Sequence, residues 1–235
     1  MEIAYRHEIR IPIGPFEALE LEQRLSAALR ADNSAKPGGE YRVRSLCFEE
    51  AGKRSPLRRQ DGLSGRIKFR LRLYDGNMER ICLEKRVRHC GLAAEQCAWI
   101  TAEECAALLQ GNLEPLRNNG SDLAGELCAR LRDGALRPSC VVDHRRRAFV
   151  SSQEGVRVRL DTDIRGSENA AAFLDVGVLG LPAASVSVLE VQFESYLPRR
   201  IAELTRLQAG PGAVGSKAAA LCLAQGTSVI TDGVW

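Results

Sequence analysis

Several things are missing from this sequence, and each absence removes a class of protein. The 235 residues contain only three histidines, and none of the eight cysteines forms a CxxC pair. The usual zinc-site spacings are therefore absent. No run of 18 or more apolar residues occurs, so no membrane span is predicted. The first residues, Met1-Glu2-Ile3-Ala4-Tyr5-Arg6-His7, carry no apolar signal region. The expectation is a cytoplasmic protein whose cysteines are reduced thiols, mostly small core residues. Aromatic residues make up 5% of the chain, too few for a base-stacking surface, so nucleic acid is not an expected partner. There is no large charge excess either: 33 Lys and Arg face 30 Asp and Glu, for a net charge of +3. A balance of this kind does not make a nucleic-acid coat.

What is present is a distribution. Basic residues alternate inside strand-like segments, and Arg greatly outnumbers Lys. The strongest case is Gly65-Arg66-Ile67-Lys68-Phe69-Arg70-Leu71-Arg72-Leu73-Tyr74. Side chains on a strand point to opposite faces with period two, which gives this segment an apolar face and a wholly cationic one. Four like charges on one face repel unless water or an anion separates them. Two readings fit the segment taken alone: a solvated outer sheet face, or the lining of a polyanion site. Arg favours the second, because its fork matches phosphate oxygens.

The same half-polar pattern recurs along the chain. Strands are predicted at Ile3 to Ile13, with Glu8 and Arg10 on one face, and at Tyr41 to Phe48, with Arg42 and Arg44 on one parity. Asp75-Gly76-Asn77 reads as a hairpin turn returning into a strand over 80–88, where Glu84, Arg86 and Arg88 share a face. Further strands are predicted over 139–150, 156–161 (Arg157, Arg159 and Asp161 on one face) and 187–194 (Glu190, Gln192 and Glu194 on one face), with a short one near Asp163-Ile164-Arg165. Helices are predicted from Pro15 to about Ala31, from the capping box Thr101-Ala102-Glu103-Glu104 to about Gln110, over 122–133, from Pro198 to about Leu207, and over 216–224. Residues 49–64 read as a polar loop. Seven or eight half-polar antiparallel strands can remove their edges by closing into a barrel, polar faces inward and apolar faces against helices.

Taken in order, His7-Glu8-Ile9-Arg10, Tyr41-Arg42-Val43-Arg44-Ser45-Leu46, Lys68-Phe69-Arg70-Leu71-Arg72, Leu83-Glu84-Lys85-Arg86, Val142-Asp143-His144-Arg145-Arg146, Val156-Arg157-Val158-Arg159-Leu160-Asp161, Leu189-Glu190-Val191-Gln192-Phe193 with Leu197-Pro198, and Ser216-Lys217 resemble the VTC domain, the polyphosphate polymerase module of the triphosphate tunnel metalloenzymes. The resemblance implies an α+β fold: an eight-stranded antiparallel β tunnel with helices packed outside and a C-terminal helix closing one end. It implies a domain over residues 1–225 with a tail over 226–235. The implied activity transfers the γ-phosphate of ATP to a growing polyphosphate chain with a divalent metal, Mn2+ or Mg2+. A tripolyphosphatase or nucleoside triphosphatase of the same fold, or a non-catalytic polyphosphate sensor, remains the alternative. Implied catalytic residues are Arg70, Arg72, Arg146, Arg157 and Lys217. Implied phosphate ligands are Arg10, Arg44, Lys68, Arg86, Arg159 and Ser216. Glu190 and Glu8 are the implied metal ligands. The implied partners are ATP, polyphosphate or pyrophosphate, and a membrane protein for export. The chain departs from the family in having Arg10 and Arg86 in place of lysines, Glu95 in place of a basic residue, and His144 and Ala218 in place of tyrosines.

Overall fold

The computed structural model describes residues 5–32, 39–50, 66–89, 92–151, 154–183 and 186–205. Its strands are β1 (Arg6–Ile13), β2 (Arg30–Ala31), β3 (Glu40–Glu50), β4 (Arg66–Tyr74), β5 (Ile81–His89), β6 (Leu92–Ile100), β7 (Leu136–Ser151), β8 (Val156–Ser167), β9 (Leu181–Pro182) and β10 (Ser187–Phe193). Its helices are α1 (Pro15–Ala28), α2 (Ala102–Leu109), α3 (Glu114–Arg117), α4 (Asp122–Arg132) and α5 (Arg199–Leu204), with a 3-10 turn over Ala170–Leu174. The strand order is β2-β7-β3-β4-β5-β6-β1-β10-β8-β9, and β7 also pairs with β8. That last pairing joins the eight long strands into a closed antiparallel β-barrel. The predicted helix over 216–224, the tail and most of the 49–64 loop lie outside the described residues.

Local chemistry sets these elements. The β4–β5 turn puts Asp75 (φ 52°) and Gly76 (φ 71°) in the left-handed region, and the Asn77 N–H donates to the Tyr74 carbonyl at 3.0 Å. Two central residues with positive φ make the primed turn that suits twisted antiparallel strands. The α2 capping box forms as read: Thr101 Oγ1 accepts from the Glu104 N–H at 3.2 Å, and Glu104 accepts from the Thr101 N–H at 2.8 Å. The chain reverses after α4 at Gly134 (φ 67°).

Two expectations are corrected. Leu92–Ile100, for which no strand was predicted, is β6, paired with all of β5. The separate strands predicted over 156–161 and 163–165 are one, β8, with Asp163 (φ 47°) as a local irregularity within it.

The chain groups into two compact units. One is built from Val43–Asp143 with Gly166–Leu181, the other from Tyr5–Arg42 and His144–Arg165 with the chain from Pro182 on. Each has its own core. In the first, Leu46, Phe69, Leu71, Leu73, Ile81 and Leu83 from the strands pack with Cys105, Leu108, Leu116 and Leu127 from α2, α3 and α4. In the second, Val158, Leu160, Leu189 and Val191 pack with Leu21 and Leu25 of α1 and Ile201 of α5. The apolar parity of each strand thus faces helices. The opposite parity is charged, and most of it is also buried.

Candidate functional site

In the first unit, register fixes which side chains share the face turned away from the helices. Lys68 lies opposite Arg86, Arg70 opposite Glu84 and Cys47, and Arg72 opposite Ser45 and Cys82. Arg86 lies opposite Glu95. The sequence-predicted residues Lys68, Arg70, Arg72 and Arg86 are therefore one face. Arg72, Glu84 and Arg86 are all at most 4% exposed.

The cations on this face are not held equally. Arg72 Nη1 is 2.8 Å from Glu84 Oε2. Arg86 Nη1 is 3.4 Å from Glu95, the acid standing where the family has a base. Arg70 is different: its Nη1 is 3.9 Å from Glu84 Oε1, too long for a hydrogen bond. Its side chain is 15% exposed. Among the described residues Arg70 has no closer carboxylate; a mostly buried guanidinium in that position is costly, and an anion removes that cost.

The second unit carries another charged face. Arg10 lies opposite Glu190, and Glu190 opposite Arg159; Glu8 and Arg157 both lie opposite Gln192. Glu190, 1% exposed, is gripped on both oxygens: Arg10 Nη2 bonds Oε2, and Arg159 Nη1 bonds Oε1 at 2.6 Å. Arg10 Nε is also 3.0 Å from Glu8 Oε1, while Gln192 Nε2 donates to Glu8 Oε2 at 3.2 Å. Arg146 makes a forked pair with Asp161, at 2.7 and 2.9 Å. Asp161 is wholly buried and holds the Arg146 guanidinium firmly protonated against the cost of burial. His144 Nε2 is 3.7 Å from the same carboxylate. Arg157 is more open, with Nε 3.1 Å from Asp32.

Arg44, implied as a phosphate ligand, does not share the Arg70 face. It lies opposite Leu73, on the core parity of β4. Its Nε and Nη2 bond both oxygens of Asp143 at 2.8 and 3.1 Å, and its Nη groups reach the carbonyls of Ala172, Asp175 and Val178. It staples the 170–178 segment to β3 and β7. Ser216 and Lys217 lie outside the described residues.

The carboxylates that share a face with the arginines, Glu84 and Asp161, were not singled out as site residues. Their signal was parity: Glu84 shares it with Arg86, and Asp161 with Arg157 and Arg159.

A metal finds a short donor set. Among the described residues no group of three or more His, Cys, Asp or Glu is placed to hold one. Glu8 and Glu190 supply oxygen donors separated by the Arg10 guanidinium. Two carboxylates suit a hard cation that keeps water and shares substrate phosphate oxygens, but they do not make a protein cage. Among the described residues no helix is long and apolar enough to cross a membrane.

The family model for the VTC domain matches residues 5–211. The chain belongs to the VTC-domain family. Solved structures similar to this VTC-domain chain include a candidate adenylate cyclase from Bacillus halodurans, 17% identical over 83% of each chain, with a TM-score of 0.49. Another is a candidate adenylyl cyclase from Hippeastrum, described as having a dominant triphosphatase activity. It is 15% identical over 85% of this chain and 83% of its own, with a TM-score of 0.48. No curated protein matched the VTC-domain chain.

Proposed function

We propose that this VTC-domain protein is a cytoplasmic polyphosphate polymerase, moving the γ-phosphate of ATP onto a growing phosphate chain. The observation that carries this is Arg70, a largely buried guanidinium 3.9 Å from its nearest carboxylate among the described residues, flanked on its face by Lys68 and Arg72. Phosphoryl transfer asks little covalent chemistry of a protein. It needs alignment and neutralised charge on the non-bridging oxygens. Fixed arginines on rigid strands supply both without reorganising.

Lys68, Arg70, Arg72 and Arg86 are assigned to phosphate oxygens. Arg10, Arg146, Arg157 and Arg159 serve the same role on the second face, with Ser216 and Lys217 as contributors that the family implies. Glu190 and Glu8 are assigned to a divalent ion, Mn2+ or Mg2+, that arrives on the nucleotide and neutralises phosphate charge when bound. Glu190 and Glu8 would hold that ion through their carboxylate oxygens, with Arg10 and Arg159 beside them for phosphate. The partners are ATP, polyphosphate or pyrophosphate, and a membrane protein that exports the product.

Incubation with ATP and Mn2+, followed by a polyphosphate-stained gel, tests the assignment. Long chains are the expected product. Free phosphate alone would make the acceptor water and the protein a triphosphatase. Tight binding without turnover would make it a sensor.

A further inference from the structure

The phosphate-binding face of the first unit also carries thiols, and they are paired. Cys47 of β3 lies opposite Arg70, and the contacts of Arg44 with Asp143 and of Ser139 with Glu49 set Cys140 of the neighbouring strand β7 across from Cys47. Cys82 of β5 and Cys97 of β6 form a second pair on adjacent strands. The two pairs differ in electrostatic setting. Cys47 faces Arg70, Lys68 and Arg72, all cationic, whereas Cys97 faces Glu84 and Glu95 as well as Arg72. Both Cys47 and Cys140 are half-buried residues.

We propose that Cys47 and Cys140 form an oxidant-sensitive dithiol on this face, closing to a cross-strand disulfide when a peroxide reacts with Cys47. The thiolate of Cys47 attacks one peroxide oxygen, the O–O bond breaks, and hydroxide leaves. The product is a sulfenic acid, in which sulfur has been oxidised by two electrons and the peroxide reduced. Cys140 then attacks that sulfur, the S–O bond breaks, water leaves with the Cys140 proton, and the S–S bond forms. The flanking contacts between β3 and β7 already hold the two cysteines across from one another, so no strand has to move far.

The surroundings favour the first step. The hydrogen bond from Cys140 and the charges of Arg70, Lys68 and Arg72 lower the Cys47 thiol to about 6, against the opposing effect of burial. Cys105, buried among apolar side chains, is instead pushed up to about 12. Lower basicity costs nucleophilicity, so the advantage over an ordinary cysteine is modest near neutrality and widens in mild acid. The gain in thiolate fraction in mild acid outweighs the loss of nucleophilicity. Neither sulfur is charged in the disulfide, so closure takes a counter-charge away from Arg70. The pairing holds whether or not the face binds phosphate.

The test treats the intact protein with hydrogen peroxide at pH 6, blocks remaining thiols, and maps cysteines by mass spectrometry. The expected result is a peptide linking Cys47 to Cys140, with Cys47 consumed faster in the folded protein than in the denaturant-unfolded chain. In Cys140→Ser, Cys47 is expected to stop at a sulfenic acid that dimedone captures. Consumption of Cys47 at equal rates folded and unfolded, or without a link to Cys140, overturns the proposal. So does the absence of a dimedone adduct in Cys140→Ser.

Discussion

The two charged faces use the same residues to different ends. On the second face the acids are answered at close range. Asp161 holds Arg146 through two bonds, and Glu190 is gripped by Arg10 and Arg159. On the first face Lys68, Arg70, Arg72 and Arg86 stand opposite or beside two acids, Glu84 and Glu95, and among the described residues Arg70 comes no closer than 3.9 Å to a carboxylate. Buried ion pairs seldom add net stability, but removing one partner is expensive. A face of matched pairs is therefore fixed in place, while a face with surplus cation has affinity left for an anion. The difference separates a face held by close ion pairs from one with more cation to offer an incoming anion, although both read alike as alternating arginines.

Substitutions can break that contrast. The largest effect is expected from Asp161→Ala, which leaves Arg146 buried without its fork and costs about 3–5 kcal/mol. A denaturant midpoint close to that of the parent protein would show the pair to be dispensable. Glu190→Gln comes next: it keeps the volume, spares phosphate binding and removes metal dependence, lowering Mn2+-stimulated turnover by about a hundredfold, equivalent to about 2.7 kcal/mol. An unchanged Mn2+ titration would return Glu190 to a purely structural role. Arg44→Ala separates stability from binding. It strands Asp143 and three carbonyls at a cost of about 2–3 kcal/mol, with tripolyphosphate affinity kept. A loss of affinity without a loss of stability would put Arg44 back among the phosphate ligands. The smallest effect is the α2 cap, where Thr101→Ala costs about 1 kcal/mol and touches neither face. Thermal unfolding measures it, and any change in phosphate binding would contradict the separation.

The sequence made the period-two strands legible because each has one apolar and one charged parity. That was enough to group Glu8 with Arg10, Arg70 with Arg72, and Glu190 with Gln192, and the register confirms those groupings. It was not enough for β3. There Val43, Arg44, Ser45 and Leu46 are all buried, so both parities face packed neighbours. Alternation says that Arg42 and Arg44 share a side, and only pairing with β4 says which side. β6 was missed for another reason. Leu92-Ala93-Ala94-Glu95-Gln96-Cys97-Ala98 is poor in branched and aromatic residues, and its extended form is imposed by β5 beside it. Asp163 hid the continuity of β8, because a left-handed residue reads locally as a break. The pairing of Cys47 with Cys140 links residues far apart in sequence and left no local pattern.

The most direct test of the central claim is calorimetric titration of tripolyphosphate into the parent protein, the Arg70→Ala and Arg72→Ala double variant, and Arg44→Ala, at fixed ionic strength. Charge-assisted bonds to phosphate from two arginines predict a loss of at least about a hundredfold in the double variant, with Arg44→Ala within about twofold of the parent. Equal affinity in all three proteins would contradict the assignment of the Arg70 face to phosphate.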